Sequence, residues 1–162
     1  MRIKLELSEE SFKRAAAEVR AYAESLDDKC AELSRRLAEI GVDAAVSHVR
    51  RESGSLASSI RSERSGERAY LVLADSEYAV YVEFGTGVVG SKTPYAGQLP
   101  DWATGPGSRS TKTREDGSWI YYDQVTGEFK STFGQAPSAF MAAGAEAVRK
   151  AVVDTAKEVF KS

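Results

Sequence analysis

One cysteine, Cys30, and one histidine, His48, are all that 162 residues offer of the side chains most used in redox and metal chemistry. A lone cysteine rules out an intrachain disulfide and suits a reducing compartment. A single histidine leaves too few ligands for a zinc site, which draws on clustered Cys and His. No spacing selects Cys30 or Ser53 as the nucleophile of a Cys-His or Ser-His-Asp arrangement. Cys30 reads instead as a small buried hydrophobe, and His48 as a solvated or capping residue near a helix end. Net charge is also nearly absent. Lys and Arg number 22 against 24 Asp and Glu, and the resulting −2 supplies no general attraction to nucleic acid or an anionic membrane. Long apolar runs are missing too. The opening "MRIKLELSEE" is charged and alternating, unlike a signal peptide or a membrane span. What remains, 42% hydrophobic and 28% charged, is an ordinary soluble balance, and the length suits one domain over residues 1–162.

Alternation at Ile3, Leu5 and Leu7 predicts a short strand, and Ser8 followed by Glu9 and Glu10 predicts a helix start. Helical periodicity then continues to about Glu52. Its stripe runs through Val19, Leu26, Leu33 and Ile40, with Tyr22, Cys30, Leu37 and Ala44 adjoining. We read that stripe as packing on the chain's own sheet, with a partner helix in a coiled coil over 19–44 as the alternative. Gly41 is a candidate kink. "ESGSLASSI" breaks the helix, and strands are expected over Ile60–Ser65 and Arg68–Ala74, closed at Ser65-Gly66. The apolar "AYLVLA" reads as an interior strand.

"SEYAVYVEFG" fits both strand and helix spacing. Ser76 as a cap and Gly85 as a terminating glycine favour a short helix. From Gly87 to Gly117 the chain is rich in Gly, Pro, Ser and Thr with little periodicity, too long for an ordinary connection and so expected to be functional. A hairpin follows, Trp119–Tyr122 with Glu128–Phe133, and Ser138 opens a last helix with a stripe at Met141, Ala145, Val148, Val152, Ala156 and Val159. The expected class is α+β. A small, mainly antiparallel sheet packs against a long N-terminal helical segment and a C-terminal helix, with a long loop and hairpin inserted over 87–135.

"GTGVVGSKT" invites a phosphate-loop reading, which fails on two counts. Ser91 separates Gly90 from Lys92, and Pro94 forbids the helix whose amides would hold phosphate. Glu83, between Val82 and Phe84, is the one carboxylate set inside an apolar run. No partner converges on it in the sequence, so it reads as facing solvent or pairing with a basic group across an interface. The arginines of "RRESGSLASSIRSERSGER" alternate with glutamates and read as a salt-bridged surface. Trp102, Trp119, Tyr121 and Tyr122 have no basic groove around them and suit protein contacts. We assign no catalytic, cofactor-binding or metal-binding residue.

Three segments in order carry a resemblance. Gly54, Leu56, Ser59 and Ile60 lie in "GSLASSI"; Tyr78, Tyr81, Val82, Glu83, Phe84, Gly85 and Thr86 lie in "YAVYVEFGT"; Pro137, Phe140 and Met141 lie in "GQAPSAFM". Together they resemble the neck, or tail-component, family of long-tailed phages with non-contractile tails. The resemblance implies a non-enzymatic virion protein made in the host cytoplasm. It would act as a ring subunit that joins head and tail or completes the tail, with the station in the neck left open. The motif residues would form core or interface, and Lys92, Trp102, Trp119, Tyr121 and Tyr122 would touch partners. Those partners are further copies of the chain and the neighbouring connector, head-closure and tail proteins. No sequence-specific nucleic-acid binding is expected, and whether DNA passes through the ring lumen is left open. A cellular interaction module built on the 19–44 stripe is the competing expectation.

Overall fold

The computed structural model describes residues 6–49, 54–98, 114–123 and 126–161. Helix α1 (Glu9–His48) starts as the sequence predicts, with the Ser8 side chain accepting from the Ser11 amide and Glu9 and Glu10 in the first turn. It then runs unbroken for 40 residues, so Gly41 neither kinks nor splits it. Helix α5 (Phe140–Lys161) lies antiparallel against its second half, with Gly41 beside Gly144 and Arg36 beside Glu158. A Cβ on Gly144 would stand 2.8 Å from the Gly41 carbonyl oxygen, so the bare glycine lets the two backbones approach. That contact offsets the roughly 1 kcal/mol that glycine costs inside a helix.

The long stripe therefore serves α5 as well as the strands, and only in part. Of the expected residues none is fully buried: Val19 is exposed and the other seven are half-buried, while Ala38, Gly41 and Ala45, each one position along from Leu37, Ile40 and Ala44, are the buried ones. On α5 the buried line is Phe140, Gly144, Thr155 and Val159, whereas the expected Ala145 and Val152 face outward. Glycine holds the close contact because it is small, and hydrophobicity alone mislocates such a face.

After α1 come a short helix α2 (Ser55–Ser59) and two antiparallel strands, β1 (Ile60–Arg64) and β2 (Tyr70–Ala74). Asp27 pairs with Arg68 at 2.8 Å and Ser34 Oγ accepts from the Tyr70 amide at 3.1 Å, fastening this hairpin along α1. Arg61 pairs with Asp75 at 2.9 Å, in keeping with a salt-bridged surface. β2 is not an interior strand. It pairs with β1 alone, and Leu71 is 48% exposed. The core gathers Ala45, Val49, Leu56, Ile60, Ala79 and Phe140 from five elements or their flanks.

The ambiguous "SEYAVYVEFG" forms helix α3 (Ala79–Phe84), one residue position after Tyr78 rather than capped by Ser76. The supposedly irregular segment then begins with another helix, α4 (Gly87–Lys92), and Gly90 within it is buried. Strands β3 (Trp119–Asp123) and β4 (Glu128–Thr132) form the expected hairpin, in register Trp119↔Thr132 to Asp123↔Glu128. It is a separate two-stranded sheet from the first, and Phe133 falls outside it. A two-residue strand β5 (Gly134–Gln135) leads to α5, which begins at Phe140 rather than Ser138. The strand expected over Ile3–Leu7 lies largely outside the described residues.

Candidate assembly interface

Two backbone segments cross where α3 ends. Thr86 bridges Gln135 and Gly87 bridges Gly134, each antiparallel. Gly85, Gly87 and Gly134 have φ of 78°, 62° and 101°, values that side-chain-bearing residues rarely adopt. Space is as restrictive as angle. A Cβ on Gly85 would meet the Pro137 nitrogen at 2.7 Å, and one on Gly87 would meet the Trp119 ring at 2.5 Å. Of the glycines of "EFGTG", Gly85 was read from the sequence as ending a helix. Their tertiary task is to let this crossing close.

Beyond the crossing, α3 and α5 cap one another. The Ser138 amide donates to the Val82 carbonyl at 2.9 Å and the Ala139 amide to the Glu83 carbonyl at 3.1 Å. In return the Glu83 carboxylate accepts from the amides of Met141 at 2.9 Å and Ala142 at 3.1 Å, and from the Tyr95 hydroxyl. Those amides belong to the second and third residues of α5, where a capping side chain normally acts. The residue preceding the helix, Ala139, has no acceptor side chain and sits at φ 51°. Glu83 supplies the missing cap from 58 residues away and places its charge at the positive end of the helix. It is 5% exposed, so it neither faces solvent nor pairs with a basic group. The sequence hinted at this twice, through a carboxylate inside an apolar run and a helix without its own polar cap.

Tyr95 is the partner that sequence reasoning missed. Its ring packs on Phe84 with centroids 5.0 Å apart, and burial, then the Glu83 hydrogen bond, push its phenol well above the usual range. A cleft of about 1000 Å³ opens beside this cluster, between Val72, Val80, Tyr95, Phe140 and Arg149. Glu83 reaches its wall with its oxygens already engaged by structural donors, so the geometry offers a clamp and no prepared proton acceptor. Exchange to Gln tests it. Glu83→Gln puts an amide donor against a donor and removes the charge from the helix start, for an expected loss of about 1–3 kcal/mol. Urea unfolding of the purified variant measures it; an unchanged midpoint would contradict the clamp.

The other predicted residues fall into two groups. Leu56, Ile60 and Phe140 are buried; Gly54 (φ 69°) opens α2, and the Ser59 hydroxyl donates to the Leu56 carbonyl at 2.8 Å. Thr86 Oγ1 accepts from the Gln135 amide at 3.2 Å, and the Gln135 side chain donates to the Tyr81 carbonyl at 3.1 Å. Val82 and Met141 pack against the core. Tyr78 is exposed and bonded to Ser55. Lys92 ends α4, at the helix terminus opposite to the one a phosphate would need. Trp119 is half-buried over Gly87, whereas Tyr121 and Tyr122 are exposed; Trp102 lies outside the described residues. His48 Nδ1 lies 2.9 Å from the Ala44 carbonyl on the last turn of α1.

This clamp, its two crossing segments and the preceding helix and hairpin are the setting for one comparison. Residues 13–85 match the HK97-gp10-like family, described as "Bacteriophage HK97-gp10, putative tail-component". The match runs from α1 to Gly85, where the backbones cross, and so takes in the first of the three motifs read above and all of the second but Thr86. That description names a component of the phage tail, a structural role. No curated protein and no solved structure matches the chain. Among the described residues no helix is long and apolar enough to cross a membrane, and no cluster of His, Cys, Asp and Glu is arranged to hold a metal ion.

Proposed function

We propose that the chain is a non-enzymatic subunit of a ring in the phage neck, which joins head and tail or completes the tail. The observation that carries this reading is the tail-component family match over residues 13–85. The surface supports it: Ile120, Tyr122 and Phe129 are each more than half exposed on the β3–β4 hairpin, and Phe133, just after it, is 48% exposed. Contiguous exposed apolar groups of this kind mark interaction surfaces. In this reading the α3–α5 clamp is the rigid base, with Gly54, Leu56, Ser59, Ile60, Tyr78, Tyr81, Val82, Glu83, Phe84, Gly85, Thr86, Pro137, Phe140 and Met141 as core or interface. Lys92, Trp102, Trp119, Tyr121 and Tyr122 would touch connector, head-closure or tail proteins. Host cytoplasm is where the subunits wait for assembly.

The coiled-coil alternative loses ground because α5 already packs on α1 at Gly41, next to Ile40 of the 19–44 stripe. A phage carrying a nonsense mutation in this gene tests the proposal. Filled heads and finished tails should accumulate unjoined, and cryo-electron microscopy of wild-type virions should place several copies around the axis at the head–tail junction. Density spread along the tail tube, or virions lacking the protein, would refute it.

A further inference from the structure

Two uncovered apolar surfaces lie far apart on the molecule. On the β3–β4 hairpin the pairing Tyr122↔Phe129 and Ile120↔Ser131 puts Ile120, Tyr122 and Phe129 on one face. They are 51%, 54% and 76% exposed, and Tyr122 meets Phe129 edge-on at 5.2 Å. The opposite face is the polar one, with Asp123 and Lys130 paired and Trp119 turned in over Gly87. A two-stranded hairpin with a bare apolar face is marginal in water and gains from being covered.

At the other end, the first four turns of α1 extend past the packed half of the helix. Phe12, Val19 and Tyr22 follow helical spacing there, and Phe12 and Val19 are 54% and 50% exposed. The two surfaces cannot meet within one copy. Ser138 bonds to the His48 carbonyl, and Gly134 bridges Gly87, so the hairpin leaves the molecule at the C-terminal end of α1. Phe12 lies some 50 Å away along the same helix, at 1.5 Å per residue, while a five-residue strand spans about 17 Å.

We infer that the apolar face of the β3–β4 hairpin receives the first turns of α1 from a second copy of this chain. Their dimensions agree: Phe12 to Tyr22 covers about 15 Å of helix, close to the length of the strands. Aromatic side chains bury about 150–250 Å² each, so the hairpin face supplies several hundred Å² of the roughly 800 Å² that each side of a stable interface contributes. Pairing like with like, hairpin on hairpin, would leave α1 uncovered. Pairing unlike surfaces covers both in every copy. It also propagates, because each copy keeps one surface of each kind open until the chain of contacts closes into a ring. The inference rests on the ring reading and specifies its contact.

Complementation between two variants tests it, since Val19→Asp and Phe129→Asp each spoil one surface at an exposed position. Melting curves like wild type confirm that both fold. By sedimentation at high concentration, wild type should form a graded series of oligomers. Each variant alone should associate at least about 30-fold more weakly, the scale of losing one anchor residue. An equimolar mixture should recover a one-to-one dimer and nothing larger, through the intact α1 of one variant and the intact hairpin of the other. Wild-type-like association by either variant would overturn the inference and leave the ring reading standing on another surface. Loss with Phe129→Asp alone would point to hairpin-on-hairpin pairing and overturn it as well. A wild-type protein that stays monomeric throughout would overturn the contact; the placement in virions decides the ring independently.

Discussion

Phe140→Ala should unfold at markedly lower denaturant concentration than wild type, with a loss of about 3–5 kcal/mol. The ring is fully buried, and it is the largest of the fully buried side chains. It is the first residue of α5 and sits in the cluster formed with Ala45, Val49, Leu56, Ile60 and Ala79. Truncation therefore opens a cavity where four parts of the chain meet, and the small alanines around it cannot swell to fill it. A domain of this size is stable by roughly 5–15 kcal/mol, so the loss is a large share of the total. Urea melts followed by circular dichroism measure it, and a change below about 1 kcal/mol would show that the pocket collapses around the smaller side chain.

Gly134→Ala should do comparable damage by the opposite route, overfilling. The added Cβ would lie 1.9 Å from the Thr86 carbonyl oxygen, a backbone atom held in place by the paired bridges at Gln135 and Gly134. The φ of 101° strains any side-chain-bearing residue as well. Backbone strain of about 1–3 kcal/mol and a similar cost of overpacking combine to about 2–6 kcal/mol. Gly66→Ala is the control. It also has positive φ, at 128°, but its Cβ would meet nothing within 4 Å, so only the strain should appear. Equal melting temperatures for the two variants would show that the crossing tolerates a methyl group.

How far could the site be read from residues alone? The Ser8 start of α1, the β1–β2 and β3–β4 hairpins and the helix at 79–84 were all legible, because caps, turns and alternation are local. Pro94 and the misplaced Lys92 were enough to dismiss a phosphate loop. Glu83 was noticed but misplaced, since its partners arrive from Tyr95, Met141 and Ala142. Nothing within a few residues of Glu83 announces them. Helix α4 was overlooked because "GVVGSK" combines poor helix formers. Its place is set instead by the crossing: the Val89 amide donates to the Phe133 carbonyl at 3.2 Å, and Gly90 is buried.

Residue order alone settled the class of the protein, the short-range elements and the motif sequence that resembles phage tail components, since each depends on neighbours within a few positions or on the identity of the motif itself. Contacts distant along the chain settled the rest. Gly41 could be a kink or a contact until Gly144 was placed beside it. Gly134 was only the first letter of the motif "GQAPSAFM" until Thr86 left it no room for a methyl group. Glu83 was an interfacial charge until α5 presented two amides that needed an acceptor. In each case the deciding quantity is a distance between backbones far apart in the chain, and no local propensity encodes that distance.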